Sequence, residues 1–214
     1  MIHKDQAEKG LQIIQSKGAE KAHMMMYDLK KNELTVESGN FSLLRTTFIY
    51  NVSYRVINEQ KKGDYSANKL DDESLHKAAD TAISMARASQ ADPAFDIAEK
   101  QPPASFASGS DTPDMDLMYD RLKSFVATVK KEYPTTILEK AVIDFSSYHY
   151  YFMNTNGVDF FTKNGYYTFS TMFTSKEGKK ASSFNYSHFC PKCLDKEFIE
   201  SGSVRTLLDQ SAEQ

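Results

Sequence analysis

The segment 188–193 holds the residue types best suited to metal chemistry. His188 precedes Cys190 by two positions, and Cys193 follows three positions later. This spacing lets one metal ion bind both thiolates, and His188 adds a nitrogen ligand. A structural zinc site needs four ligands, usually from two such knuckles, and the sequence has no second cysteine pair. The pattern therefore favours a turn with two reduced, partly buried thiols, and it leaves His188, Cys190 and Cys193 as the candidate metal ligands.

Redox chemistry and other catalytic motifs find less support in the sequence. A thioredoxin-like C-x-x-C begins a helix within a βαβ unit, whereas the residues before Cys190 predict an antiparallel strand. The sequence contains no H-E-x-x-H pair, no G-x-S-x-G elbow and no glycine-rich phosphate loop. His76 is predicted to face solvent, and His149 lies in an aromatic run at 148–152. That run predicts a strand with core on one face and an interface on the other. The sequence thus predicts no catalytic residue.

Composition narrows the class of protein. The formal net charge is -3 and the pI is about 6.0, whereas nucleic-acid binders usually carry a basic excess. No segment reaches the roughly 20 apolar residues that span a bilayer, and residues 1–6 lack the apolar run of a signal peptide. The two cysteines are too few for a secreted disulfide scaffold. We therefore expect a cytoplasmic protein that binds neither nucleic acid nor membrane.

The first 91 residues predict helices around antiparallel strands. Apolar spacing predicts a helix over 4–17 that stops at Gly18. Strands are predicted at 22–29 and 34–41, with a polar turn at 30–33, and a further strand at 46–57 is followed by a turn at Gly63. Acidic residues then open a helix near Asp71. Its many alanines predict a face pressed against a neighbouring backbone.

Residues 92–113 contain most of the prolines and predict a connector without secondary structure. Residues 114–214 then repeat the pattern of helix, strands and helix, with hairpin turns predicted at Asn156-Gly157 and Asn164-Gly165. The predicted fold is α+β, with antiparallel sheets and flanking helices. It consists of two helix–strands–helix subdomains, 1–91 and 114–214.

Several segments resemble the N-terminal region of the TldD/PmbA family, described as modulators of DNA gyrase. The resemblance covers most of the chain in order and spacing. Each motif alone consists mostly of residues that are typical of turns and packed elements. The resemblance depends on their combination. Four segments match. They are the helix ending at Gly18 with 19–22 after it, the run 32–39, the runs 54–57 and 63–68 with Leu70-Asp71 and the alanine-rich helix after them, and the run 151–158 with its Asn154-Thr155-Asn156-Gly157 turn.

The resemblance implies a metallopeptidase that degrades or matures peptides. Family members carry an H-E-x-x-x-H helix in a C-terminal domain, which binds zinc or another divalent metal. The present chain would lead towards that domain and would itself be inactive, with no cofactor and no catalytic residue. It would form part of the wall of the substrate chamber. It would also contribute contacts to a homodimer or to a heterodimer with a related subunit. Its partners would be peptides or unfolded proteins.

An alternative reading of the same residues is a stand-alone module without enzymatic activity. Such a module would use exposed sheet edges to bind peptides or to dimerise. Strand addition at an edge recognises backbone more than sequence, so it needs no conspicuous motif. Both hypotheses predict a sheet edge that is open to a partner.

Overall fold

The structure is a computed structural model that describes residues 2–213. The predicted subdomains begin at Met1 and end at Gln214, and these two residues lie outside the described part of the chain. Four α-helices are present among the described residues, together with a short 3-10 turn at Phe198–Glu200. The helices are α1 (Lys4–Ser16), α2 (Asp72–Ala88), α3 (Met115–Glu132) and α4 (Val204–Glu213). The strands are β1 (Lys21–Glu37), β2 (Asn40–Asn58), β3 (Lys61–Ala67), β4 (Ala104–Ser108), β5 (Thr136–Asn154), β6 (Asp159–Glu177), β7 (Lys180–Ala181) and β8 (Asn185–Phe189).

The strands form a sheet in the order β3-β2-β1-β5-β6-β4, and β7 and β8 also pair with β6. Strands β2 and β3 pair antiparallel from Val52–Ala67 to Asn58–Lys61. Strand β4 is parallel to β6, whereas β7 and β8 are antiparallel to it. The α+β class with antiparallel pairing and flanking helices is confirmed.

Strands β1, β5 and β6 are longer than the sequence predicted. The predicted turn at 30–33 is wrong, because β1 continues through it and its charged side chains find ion-pair partners within the sheet. The sequence also predicts two separate extended runs at 137–145 and 148–153, but these form one strand, β5. The predicted hairpin at Asn164-Gly165 is also wrong, because β6 runs through it. Gly165 instead permits a close backbone contact, since a Cβ there would lie 1.6 Å from the carbonyl oxygen of Ser110.

The hairpin turns depend on positive φ angles. The predicted turn at Asn156-Gly157 is confirmed, with Gly157 at φ 93°. The Asn154 side chain accepts hydrogen bonds from the backbone N–H groups of Asn156 and Val158, at 3.1 and 2.9 Å. The turn predicted at Gly63 is wrong. Glu59 and Gln60 make the β2–β3 turn with φ 51° and 61°, and Gly63 pairs with Val56 inside β3.

The proline-rich segment 92–113 contains a strand, which contradicts the prediction of a connector without secondary structure. Strand β4 occupies Ala104–Ser108 and pairs with β6 from Phe160 to Asn164. An edge strand of five residues needs hydrogen bonds on one side only, so it tolerates the flanking prolines.

The chain divides into two compact units that are discontinuous in sequence. Unit 1 comprises 1–30, 48–108 and 148–164, and unit 2 comprises 31–47, 109–147 and 165–214. The sequence instead predicted a division at 92–113. The long strands β1, β2, β5 and β6 each contribute residues to both units. The sequence predicted shorter strands, and these would each lie wholly or almost wholly within one unit.

In unit 1, helices α1 and α2 pack on one face of the sheet. The apolar face of α2 consists of Leu75, Ala78, Ala79, Ala82, Ile83 and Ala86, all buried. The predicted close backbone approach is confirmed at Gly63, where a Cβ would lie 2.1 Å from the Ala82 carbonyl oxygen and 2.3 Å from the Ala86 nitrogen. Strand β3 can therefore lie against α2 only with glycine at this position.

Tyr54 joins β2 to α1 within unit 1. Its hydroxyl donates a 2.9 Å hydrogen bond to the Gly10 carbonyl, and burial raises the pKa of Tyr54. Tyr54→Phe is expected to lower the free energy of unfolding by about 1 kcal/mol, the usual net value of such a bond. Urea denaturation measures this loss, and Tyr119→Phe is the control because Tyr119 is exposed. An unchanged free energy of unfolding in Tyr54→Phe would contradict the assigned bond.

The raised pKa of Tyr54 also predicts how stability depends on pH. A tyrosine whose folded pKa exceeds its unfolded value of about 10 stabilises the fold fully below pH 10. This contribution is lost as the pH rises above that value towards the raised pKa. The Tyr54→Phe variant should therefore lose less stability than the parent chain between neutral and strongly alkaline pH.

In unit 2, helix α3 packs on β1, β5 and β6. Phe125 of α3 lies edge-on to Phe169 with ring centroids 5.1 Å apart, and Phe198 stacks on Phe169 at 4.2 Å. The rest of this core includes Leu34, Val36, Leu122, Val129, Ile143, Phe145, Phe173 and Leu208.

Candidate functional site

The structure does not bring the candidate metal ligands together. His188 lies on β8 opposite Ser170, and its ring is nearly parallel to that of Tyr186. Cys190 and Cys193 follow the strand and are exposed, and the Cys193 thiol donates a 2.9 Å hydrogen bond to the Asp195 carboxylate. Within residues 2–213, no three His, Cys, Asp or Glu side chains lie where they could hold a metal ion.

His149 and Asp28 form a buried pair in unit 1. His149 Nδ1 lies 2.9 Å from Asp28 Oδ1, and the backbone N–H of Ile2 donates to the other carboxylate oxygen. The His149 ring is parallel to that of Phe161, and its Nε2 is buried without a hydrogen-bond partner among the described residues. With 5% of its surface exposed, His149 cannot reach a substrate, so the pair holds β5 to β1 and to the N-terminal segment.

Sequence reasoning placed His149 in a strand but did not predict Asp28 as its partner. The two residues are 121 positions apart, and nothing in the local pattern links them. The two-faced character of the run 148–152 is confirmed, since His149 and Tyr151 are buried while Tyr148, Tyr150 and Phe152 are half-buried. The predicted interface on the second face stays a prediction.

That second face of unit 1 is aromatic. Side chains alternate along a strand, so His23 and Tyr27 lie on the face opposite Met24 and Met26, which pack with the helices. Burial lowers the pKa of His23, with the Arg55 charge adding to the effect, and burial raises the pKa of Tyr150. Neighbouring rings on this face lie 5.2 to 6.4 Å apart: His23–Phe152, Tyr27–Tyr148, Tyr148–Tyr150, Phe152–Phe160 and Phe106–Phe160.

An ion-pair network lies within the sheet of unit 2. Lys31 Nζ is 3.1 Å from Asp144 and 3.7 Å from Glu33. Arg45 is 3.2 Å from Glu33. The carboxylate side chains of Glu33 and Asp144 are only 9% and 12% exposed. Because two cations balance two carboxylates, the network has no excess charge to attract an ionic ligand. We assign it to sheet stability, and sequence reasoning missed it by placing Lys31 and Glu33 in a turn.

The outer edge of β2 is a candidate recognition surface in unit 2. Pairing of β2 with β3 begins at Val52, so within residues 2–213 no strand covers the outer edge of β2 before that residue. We call residues 40–47 the β2 edge segment. Its apolar side chains are exposed: Phe41 by 42%, Leu43 by 39% and Leu44 by 67%. Exposed apolar residues on an unpaired strand edge are typical of an interaction site.

The chain also has a cleft of 340 Å³ in unit 2, between the turn at 38–40, the end of α3 and residues 134–138. Its ionisable lining residues are Lys130 and Tyr133. The Tyr133 hydroxyl donates to Asp209 at 2.5 Å, and burial together with this bond raises the pKa of Tyr133. This lining contains no nucleophile with an adjacent base, so the cleft is not arranged for acid–base or nucleophilic catalysis.

The fold places the chain in a class of α+β proteins that is known from solved structures. It superposes on a protein described as a proposed modulator of DNA gyrase from Bacteroides thetaiotaomicron with a TM-score of 0.77 and 16% identity, covering 99% of this chain and 50% of that one. TldE from Thermococcus kodakarensis matches with a TM-score of 0.73 and 14% identity, covering 97% of this chain and 46% of that one.

A proposed modulator of a DNA gyrase from Thermotoga maritima matches with a TM-score of 0.67 and 11% identity, covering 98% of this chain and 46% of that one. The chain thus spans about half the length of these proteins and has the fold of that part. No family model and no curated protein sequence matches it. The resemblance to the TldD/PmbA family is confirmed at the level of the fold. Among the described residues, no helix combines the length and apolar character needed to cross a membrane.

Proposed function

We propose that this chain is the non-catalytic region of a TldD/PmbA-like metallopeptidase that degrades or matures peptides, and that it binds the peptide as an added strand. The observation that carries the proposal is the β2 edge segment, whose outer edge has no partner strand among residues 2–213 and which exposes Phe41, Leu43 and Leu44. The fold shared with TldE and with the gyrase modulators supports the choice of family.

An extended peptide is the partner that the chemistry of this edge favours. The outward N–H and C=O groups of an edge strand can pair with the main chain of an added strand, which supplies both acceptors and donors. Side chains alternate between the two faces, so Leu43 and Leu44 offer apolar contact on opposite sides of the peptide. Arg45 is paired with Glu33, so the segment carries no unbalanced charge that would exclude peptides of either sign.

In this proposal the hydrolytic chemistry lies outside residues 2–213. A zinc or other divalent metal ion would be held by a catalytic helix of the H-E-x-x-x-H type, which this sequence does not contain. The chain would contribute wall to the substrate chamber and contacts to a homodimer or to a heterodimer with a related subunit. A cytoplasmic setting and substrates drawn from peptides or unfolded proteins are part of the same proposal.

Fluorescence anisotropy with a labelled peptide tests strand addition directly. The probe is a fluorescein-labelled peptide of about eight alternating valine and threonine residues, which matches the length of the β2 edge segment at about 3.3 Å per residue. Leu44→Lys should weaken binding about tenfold, because it replaces an apolar contact worth about 1.4 kcal/mol with a charge. Met85→Lys is the matched control, since Met85 is an exposed apolar residue on α2.

A second peptide separates backbone recognition from apolar adsorption. The same sequence with alternate amides N-methylated keeps the side chains but loses the donors needed for a ladder. Strand addition predicts that this peptide does not bind. Equal binding of both peptides, or equal weakening by Leu44→Lys and Met85→Lys, would refute the proposed site.

The alternative is a stand-alone module that dimerises or binds peptides without an enzyme. The same unpaired edge favours it, because two copies of β2 can pair antiparallel with each other. Light scattering distinguishes the two functions. A dimer that becomes monomeric in Leu44→Lys, together with loss of peptide binding in the dimer, indicates that the edge serves self-association.

A further inference from the structure

The segment 190–195 combines two exposed thiols with a backbone free of ladder hydrogen bonds. Strand β8 ends at Phe189, and the chain bends at 192–194 before the 3-10 turn. Cys190 and Cys193 are both exposed and unbonded to each other. The two-residue spacing is that of the C-x-x-C motifs in proteins that form reversible disulfides.

The downstream end of this segment is anchored to unit 2. Leu194 is 3% exposed and belongs to the core with α3. The Arg121 guanidinium donates to the carbonyl oxygens of Leu194 at 2.7 Å and Asp195 at 3.2 Å, and it forms an ion pair with Glu197. Because the anchor lies beyond Cys193, the four residues from Cys190 to Cys193 can rearrange without displacing the core.

We propose that Cys190 and Cys193 form a reversible intramolecular disulfide, so that this segment is a redox-sensitive site. The co-reactant is a small-molecule disulfide of the glutathione type. The Cys190 thiolate attacks one sulfur, which gives a mixed disulfide and releases one small thiol. The Cys193 thiolate then attacks the Cys190 sulfur and releases the second small thiol. The two chain thiols are oxidised by two electrons, the small disulfide is reduced, and the two cysteine protons end on the two released thiols.

The Cys193–Asp195 hydrogen bond stabilises the reduced form relative to the disulfide. Disulfide formation removes the thiol donor and leaves the Asp195 carboxylate to solvent. Asp195→Asn weakens the acceptor in the reduced form only. It should therefore shift the equilibrium towards the disulfide by at most about fivefold, which is the usual net effect of losing one such bond completely. This inference is independent of the proposed peptide binding.

The test equilibrates the whole chain in buffers of reduced and oxidised glutathione over a range of ratios. Samples are acid-quenched, alkylated with N-ethylmaleimide and weighed by intact mass spectrometry. We expect one transition from a doubly alkylated chain to an unalkylated chain that is two hydrogens lighter than the unmodified reduced chain. Doubly alkylated chain at every ratio, or a transition that stops at a glutathione adduct, would overturn the proposal.

Three variants make the assignment specific. Cys190→Ser and Cys193→Ser should each lose the unalkylated product and retain one glutathione adduct, and circular dichroism verifies that they fold. Asp195→Asn should shift the transition, whereas Glu177→Gln, an exposed acidic residue on β6, should not. Equal behaviour of Asp195→Asn and Glu177→Gln would refute the role given to the thiol–carboxylate bond.

Discussion

Lys31→Met is expected to lower the free energy of unfolding by about 3 kcal/mol, because it leaves a buried carboxylate without a cation. Lys31 is the ion-pair partner of Asp144, whose side chain is 12% exposed. Breaking a buried ion pair by removing one partner typically costs about 3 to 5 kcal/mol. The lower end applies here, since the Lys31 side chain is 34% exposed and water reaches the site. Glu33 is less affected, because it keeps Arg45.

A second substitution distinguishes the buried charge from lost packing. In the Lys31→Met background, Asp144→Asn removes the unpaired charge and should restore a large part of the lost stability. Lys179→Met is the control, because Lys179 is exposed on a turn and should change the free energy by less than about 0.5 kcal/mol. Chemical denaturation measures all three. If Asp144→Asn restores nothing, the ion pair does not account for the effect.

The helices and the fold class could be predicted from sequence because their signals are local. The α2 face shows why, since alanines at helical spacing indicate a close neighbour whatever that neighbour is. Strand lengths could not be predicted in the same way. Lys31 and Glu33 lie in a run whose composition is typical of a turn. They can lie in β1 because Lys31 pairs with Asp144 and Glu33 pairs with Arg45. Those partners come from another strand or from across a hairpin.

Candidate sites could be predicted from the sequence where their residues are close along the chain, but not where the pairing of distant strands defines them. Cys190 and Cys193 are close in sequence, so the local pattern could predict a bend after the strand. The predicted partial burial of the two thiols is wrong, since both are exposed. The β2 edge segment could not be found this way, because an edge is defined by where a neighbouring strand stops. Pairing with β3 ends at Val52–Ala67, and no residue in 40–47 signals this. The His149–Asp28 pair was missed for the same reason, since its members meet only through the pairing of long strands.

Gly63→Ala is expected to lower the free energy of unfolding by about 3 kcal/mol. The added Cβ would lie 2.1 Å from the Ala82 carbonyl oxygen and 2.3 Å from the Ala86 nitrogen. Overpacking of a core typically costs about 1 to 3 kcal/mol, and the upper end applies because both contacts are backbone atoms of α2 that no rotamer change can move. The helix must shift away from β3, which also opens its contacts with the alanine face.

Two comparisons distinguish this steric cost from a general effect of replacing glycine. Gly39→Ala meets nothing within 4 Å and strains only a positive φ of 77°, so it should cost about 1 kcal/mol. Ala86→Gly in the Gly63→Ala background should give no rescue, because the obstructing atoms belong to the backbone and remain after the methyl group is removed. Urea denaturation of the variants measures the free energy of unfolding of each and so ranks their costs. A cost for Gly63→Ala no larger than that for Gly39→Ala would show that α2 does not lie as close to β3 as the structure places it.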